Sequence, residues 1–243
     1  MKKKILAIIP CRSGSKAIKD KNIISVFGKP LIYYSIIFAQ QCKFIDKIIV
    51  STDSKKYKKI IEKYGIKVPF LRPKNISGDF SLDIDVFKHA LSWLDKNDSY
   101  VPDLVVHLRP TCPIRRIKTL KKAIKIISKS KKVDSVRSIN HINQSAYKMW
   151  FMKNNKKIKA ITINNTNYKE PYNAPRQKLA KSYVQNSVYD VVRTNIIKKN
   201  LLSGKNIYGL VTNDSIDIDT KADLKKLIKH KQKFKNFKKY ILS

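Results

Sequence analysis

The sequence predicts an α/β domain, a mainly parallel sheet flanked by helices. Two observations carry this. Strand-like runs alternate with helix-like runs along the chain until about Ile139, the rhythm of a helix-covered parallel sheet. The first of those runs, Lys4–Pro10, is apolar nearly throughout and reads as a buried strand. A chain of 243 residues suits one medium domain with a substantial core, so residues 1–243 are taken as a single domain.

The elements follow in order. Strands are expected at Lys4–Pro10, Lys47–Ser51, Leu104–Leu108 and Asp134–Ser138. Between the first two, "KPLIYYSIIFAQQCK" has Pro30 near its first turn and keeps an apolar face, which predicts a helix. "DSKKYKKIIEKYG" begins at Asp53 or Ser54 as a cap and stops at Gly65, a second helix. Residues 82–96 and 115–129 supply two more. Beyond Ile139 the chain turns polar and turn-rich, and about 140–182 reads as an inserted lobe or hairpin. Sheet-like runs return at "VYDVV" and "IYGLV". The basic stretch at about 228–243, part of the run "KKLIKHKQKFKNFKKY", reads as a solvated terminal helix and tail.

Composition narrows the function classes. With 53 Lys and Arg against 17 Asp and Glu, the formal charge is +36, a balance that suits a nucleic-acid or anionic-membrane partner. The lysines, however, are spread over nearly every segment beside abundant Ile and Asn, as a coding bias would also produce. Nucleic-acid binding is therefore the alternative reading from a different class. The opening "MKKKILAIIPC" is too short for a membrane span and lacks a small-residue cleavage site. Three cysteines, Cys11, Cys42 and Cys112, make neither an even framework nor a CxxC pair, which points to free thiols in the cytoplasm.

Four polar clusters fall where the strands should end, the side on which open α/β sheets bind ligands. In "IIPCRSGSKAIKDKN" a strand runs into a small, cationic loop that is neither GxxxxGK[ST] nor GxGxxG. Arg12, Ser15, Lys16 and Lys21 there suit a triphosphate and Asn22 a ribose, the alternative being a solvated connector. In "LRPKNISGD", Arg72 precedes a proline that holds its backbone extended, so its guanidinium suits a planar acceptor such as a pyrimidine carbonyl. Asp79, Ser81 and Asp83 follow it; an ordinary surface loop fits equally. "HLRPTCPIRR" displays Arg109 and Thr111 after a strand, or is merely a strand end leading to a helix cap. In "SIDIDTKADL", strand alternation puts Asp217 and Asp219 on one side, able to share a hard cation such as Mg²⁺ with phosphate oxygens. A helix cap at Asp219 or Thr220 explains one residue and does not require two. Cys11 and Cys112 lie in these loops, but His89, His107, His141 and His230 offer no well-placed base, so the thiols read as structural.

The segments "IIPCRSGSKAIKDKN", "FGKPLIYYSI", "VSTDS", "VPFLRP", "LRPTCPIR", "PRQKL" and "SIDIDT", in that order, resemble the acylneuraminate cytidylyltransferases, the CMP-sialic acid synthetase family, from Ile8 to about Leu227. The resemblance implies a nucleotide-diphospho-sugar transferase fold, Rossmann-like, with CTP and a nonulosonic, nine-carbon-type acid sugar as substrates. It also implies Mg²⁺ and a homodimer built partly by the inserted lobe. By resemblance Arg12, Ser15, Lys16 and Lys21 are the phosphate grip, with Arg12, Lys16 and Lys21 neutralising the triphosphate in catalysis. Asn22 meets the ribose, and Arg72, with Asp79 and Ser81 beside it, belongs to the nucleotide. Lys148 and Arg176 surround the sugar, and Asp217 and Asp219 hold the metal. Two stretches depart from the pattern. The family's "LQPTSP" is "LRPTCP" here, placing Arg109 beside Thr111 where a glutamine stands near the sugar. Its "RPNGAIY" is "VQNSVYD", which includes Gln185 and Asn186. Both fall on the acyl-sugar side; another acid sugar, such as 3-deoxy-octulosonate, is the alternative substrate.

Overall fold

The computed structural model describes residues 3–161, 166–212 and 216–242. The chain forms two compact units: Met1–Ser138 with Asn186–Ser243, and Ile139–Gln185.

Along the chain run β1 (Ile5–Pro10), a small hairpin of β2 (Ser25–Val26) and β3 (Lys29–Pro30), α1 (Leu31–Gln41), β4 (Lys47–Ser51) and α2 (Lys55–Glu62). Next come α3 (Asp83–Asp98), β5 (Leu104–His107), α4 (Ile117–Lys129), β6 (Ser135–His141), β7 (Trp150–Met152) and β8 (Ile158–Ala160). The remainder is β9 (Tyr183–Arg193), α5 (Thr194–Lys198), β10 (Ile207–Val211), α6 (Lys221–Ile228), α7 (Lys231–Lys235) and α8 (Phe237–Leu242). Six strands form the main sheet in the order β10-β6-β9-β5-β1-β4. β1 lies parallel to both β4 and β5, and β9 pairs antiparallel with β5. The expected α/β class is borne out.

The apolar run of β1 has a direct physical cause. Ile5, Ala7 and Ile9 face one core with α1, α4 and the C-terminal helices, while Leu6 and Ile8 face a second core with α3 and α5. A strand covered on both sides has no polar face to show. Because β1, β4 and β5 are parallel, the loops after Pro10, Ser51 and His107 leave from the same edge of the sheet. At α2 the cap is Ser54, whose hydroxyl accepts from the Tyr57 amide, and Gly65 follows the helix at a φ of 76°. Asp53 is thereby left for another task.

Two expectations are corrected. The basic C-terminal run is not a solvated tail: Phe234, Phe237 and Ile241 are buried in the core, with Phe234 and Phe237 ringed around Tyr34 at 4.8 and 4.9 Å. Its lysines point outward while its apolar residues supply the packing, a pattern that charge alone does not show. Likewise, residues 216–219 form no strand, so strand alternation is not what orients Asp217 and Asp219; Ser215, which opens that motif, lies outside the described residues.

The unit Ile139–Gln185 contains the antiparallel hairpin β7–β8, with Trp150 opposite Ala160 and Met152 opposite Ile158. The Trp150 and Tyr172 rings pack tilted with centroids 4.6 Å apart, and Phe151, Met152 and Ile158 are exposed. The stretch read as an inserted lobe falls within this unit.

Candidate active site

The loop after β1 is braced by side chains within it and by one from the loop after β4. Asp53 takes both the Ser13 amide and the Ser13 hydroxyl at 2.7 Å, and Gly14 turns the chain with a φ of 71°. Asn22 is buried, and its amide donates to the Arg12 carbonyl at 3.0 Å. That bond braces the loop. Arg12 and Lys16 converge on one carboxylate: Asp79 Oδ1 lies 2.8 Å from Arg12 and Oδ2 lies 2.6 Å from Lys16. The Lys16 and Arg12 hydrogen bonds hold the Asp79 carboxyl below its ordinary pKa. Asp79, expected among the nucleotide contacts, is the counter-charge of Arg12 and Lys16 in this structure. Ser15 is half-buried in the same loop, and Ser81 donates its amide to the Gly78 carbonyl.

Arg72 is turned inward. Its guanidinium is not displayed but buried, donating from Nε to the Ser51 hydroxyl at 3.0 Å and from NH2 to the Ser51 carbonyl at 2.6 Å. Its amide bonds the Thr52 carbonyl at 2.7 Å. Arg72 thus ties its own loop to the end of β4.

Arg109 departs from expectation too, because it is paired rather than extended. NH1 donates to Asp190 Oδ2 at 2.7 Å, and NH2 lies 3.4 Å from Asp83 Oδ2. Burial lowers its pKa, but Asp190 and Asp83 outweigh that and raise it. Arg137 Nε lies 3.4 Å from the other Asp190 oxygen. His107, opposite Asp190 in the β5–β9 register, has Nδ1 3.9 Å from both Asp83 and Asp190. Burial, with Arg109, Arg115 and Arg137 nearby, keeps its pKa well below the usual value, so the imidazole is neutral. Beneath this cluster Arg115 is almost wholly buried, donating to the Val188 and Arg109 carbonyls at 2.9 and 2.6 Å and to the Ser35 hydroxyl at 3.1 Å. It clamps the loop that carries Arg109, Thr111 and Cys112. Thr111 is half-buried and accepts the Ile218 amide at 2.9 Å through its carbonyl. Burial pushes Cys112 up to about 12 and Cys11 higher, so neither is a thiolate at neutral pH.

The Thr111–Ile218 bond draws the carboxylate segment toward the same edge. Lys21 Nζ meets Asp219 Oδ1 at 2.9 Å, while Asp217 Oδ1 is buried without a hydrogen-bond partner among the described residues. The cap of α6 is Thr220, in a reciprocal capping box with Asp223. Neither Asp217 nor Asp219 is needed for that cap.

The structure thus joins Arg12, Lys16 and Asp79, and separately Lys21 and Asp219. Asn186, expected near the sugar, is buried with its amide donating to the Thr212 hydroxyl. Lys148, Arg176 and Gln185 belong to the unit Ile139–Gln185 and are exposed within it, Lys148 in a single turn capped by Ser145. Asp53, Arg115, Arg137 and Asp190 were missed by sequence reasoning. Asp53 stood in the "VSTDS" motif, Arg115 in "LRPTCPIR" and Asp190 in "VQNSVYD", and could have been found there; Arg137 stands in none of the motif segments.

A family model described as cytidylyltransferase matches residues 6–241. The chain belongs to the cytidylyltransferase family. The motif resemblance is borne out by relatives. The N-acylneuraminate cytidylyltransferase of Escherichia coli O18:K1:H7 is 37% identical over 144 residues, 59% of this chain and 33% of that protein. The pseudaminic acid cytidylyltransferase of Campylobacter jejuni serotype O:2 is 40% identical over 120 residues, 49% of this chain and 51% of that one. The CMP-N,N'-diacetyllegionaminic acid synthase of Legionella pneumophila is 38% identical over 51% of this chain and 53% of its own length. These matches span between a third and about half of the curated relatives' length. Among solved structures, CMP:2-keto-3-deoxy-manno-octonic acid synthetase complexed with CTP shares the fold at a TM-score of 0.69 and 16% identity, over 95% of this chain and 99% of that one. Among the described residues no helix is long and apolar enough to cross a membrane.

Proposed function

We propose that the protein transfers CMP from CTP to a nonulosonic, sialic-acid-like 2-keto-3-deoxy acid sugar. The anomeric hydroxyl attacks the α-phosphorus and gives up its proton to solvent, the bond to the β-phosphate breaks, and pyrophosphate leaves with the electron pair of the broken bond. The observation that carries this reading is the Lys21–Asp219 contact, which brings the cationic loop and the carboxylate segment together in a chain of this family. Phosphoryl-type transfer depends mainly on alignment and charge neutralisation. Arg12, Lys16 and Lys21 serve that purpose once Asp79 gives way to the triphosphate. Ser13, Gly14 and Asn22 fix the loop from which those cations project.

The carboxylates fit a divalent cation. Asp217 Oδ1 is buried and accepts no close hydrogen bond, the Asp217 carboxylate interacts with the Cys112 thiol and the Arg115 guanidinium, Asp219 lies beside Lys21, and the helix cap is supplied by Thr220. Asp217 and Asp219 would hold Mg²⁺ together with phosphate oxygens, the metal lowering the charge on the triphosphate and the pKa of the attacking hydroxyl.

The relatives' names support the acid-sugar class: acylneuraminate, pseudaminic and diacetyllegionaminic acids. The exposed Phe151, Met152 and Ile158 of the β7–β8 hairpin support a homodimer formed through that unit. The three buried free thiols support a cytoplasmic protein. Pyrophosphate release, measured with CTP, UTP and ATP against a panel of acid sugars, tests the reading; release with CTP and at least one such acid is expected, and equal release with all three nucleotides would overturn it.

A further inference from the structure

The charge cluster around Arg109 is the largest feature near the site that phosphate chemistry does not use. Its guanidinium is fixed from two sides. Asp190, buried at 8% side-chain exposure, takes NH1, and Arg115 holds the Arg109 carbonyl from below. Arg137 stands against the second oxygen of Asp190, so one buried carboxylate lies between two guanidiniums. The remaining edge is less well occupied. Asp83 approaches NH2 only to 3.4 Å, beyond the usual length of such a bond, and its side chain is 40% exposed. A guanidinium has no acceptor, so whatever takes that edge must present one, such as a carbonyl oxygen. The Asp83 carboxylate beside it repels a second carboxylate and tolerates a neutral carbonyl. His107 adds no positive charge, being neutral.

We propose that Asp190 and Arg137 position Arg109 as a fixed donor that selects the acid sugar by the carbonyl oxygen of an N-acyl group, received at the Arg109 edge beside Asp83. This rests on the cytidylyltransfer reading and names the group by which that site chooses its sugar. Arg109 is the contact; Asp190 and Arg137 are positioning residues.

The test compares kcat/KM for the N-acylated acid sugar that the wild-type protein uses best with that for the same acid bearing a free amine in place of the acyl group. Wild type should favour the acylated form by about tenfold or more, the usual consequence of leaving a buried donor unpaired. Arg109→Gln and Asp190→Asn should each shrink that ratio by raising the KM of the acylated sugar, with the KM for CTP within about twofold of wild type. The double variant should be no worse than either alone, since both act on one donor. Arg137→Gln removes the more exposed partner and should shift the ratio the same way, and it decides the matter if Asp190→Asn does not fold. A wild type without preference for the acylated form, or variants with an unchanged ratio, would overturn the assignment, as would equal rises in both KM values. Pyrophosphate release by the wild type with none of the acids would instead overturn cytidylyltransfer itself, and this assignment with it.

Discussion

Lys21 Nζ lies 2.9 Å from Asp219 Oδ1, a contact between residues 198 apart in the chain. Lys21 is nearly enclosed, with its side chain 13% exposed, whereas Asp219 is 67% exposed. The lysine is thus fixed while the carboxylate is open to ligand on its outer side. Replacing Lys21 by Ala should lower turnover by orders of magnitude, because one enclosed charge-assisted contact in such a site is worth roughly 2–4 kcal/mol. Steady-state kinetics with CTP check this; an unchanged rate removes Lys21 from the chemistry.

Removal of the counter-charge should act in the opposite sense. Asp79 occupies Arg12 and Lys16 in the absence of nucleotide, so Asp79→Asn should lower the KM for CTP roughly two- to fivefold, the scale of exposed ion pairs. The gain should shrink at high salt. A raised KM would restore Asp79 to the nucleotide contacts.

For the carboxylate segment the metal and cap readings part cleanly. Asp217→Asn and Asp219→Asn should leave thermal stability intact, while turnover falls steeply and recovers in part at high magnesium. Thr220→Ala should show the reverse, a loss of about 1 kcal/mol of stability with the chemistry little changed, because Thr220 makes the capping box. Thermal melts and magnesium titrations of the three variants separate the two roles.

His107 gives a prediction for pH. Burial holds its folded pKa far below the ordinary value, and His89 is lowered by burial and by Arg72. As pH falls below about 6.5 the unfolded chain takes up protons that the folded chain does not, so stability is full above that pH and is lost below it, by up to about 1.4 kcal/mol per pH unit for each such histidine. The melting temperature should drop between pH 7.5 and 5.5, and His107→Gln should flatten the slope. An equally steep slope in the variant would mean His107 titrates normally.

How much of this was legible depends on how local the cause is. Ser54 and Gly65 announced α2 because capping and a positive φ are decided within a few residues. The two-sided burial of β1 wrote itself into an unbroken apolar run. Arg72 and Arg109 looked displayed because a proline follows each in the sequence, but their orientation is decided elsewhere. Arg72 turns inward to Ser51, 21 residues away, and Arg109 to Asp190, 81 residues away. Asp190 sits in an apolar strand with nothing near it to mark it as a partner. The terminal run misled for a similar reason: its lysines are visible in any window, whereas the place of Phe234 beside Tyr34 depends on the return of the chain to α1.

The most direct test of cytidylyltransfer is the product itself. The protein is incubated with CTP, magnesium and each of N-acetylneuraminic, legionaminic, pseudaminic and 3-deoxy-octulosonic acids, and the mixture is weighed by mass spectrometry. A species with the mass of one acid joined to CMP, formed together with pyrophosphate and absent when UTP or ATP replaces CTP, is the predicted result. CTP left intact with every acid, or the same conjugate yield from UTP or ATP, would contradict it.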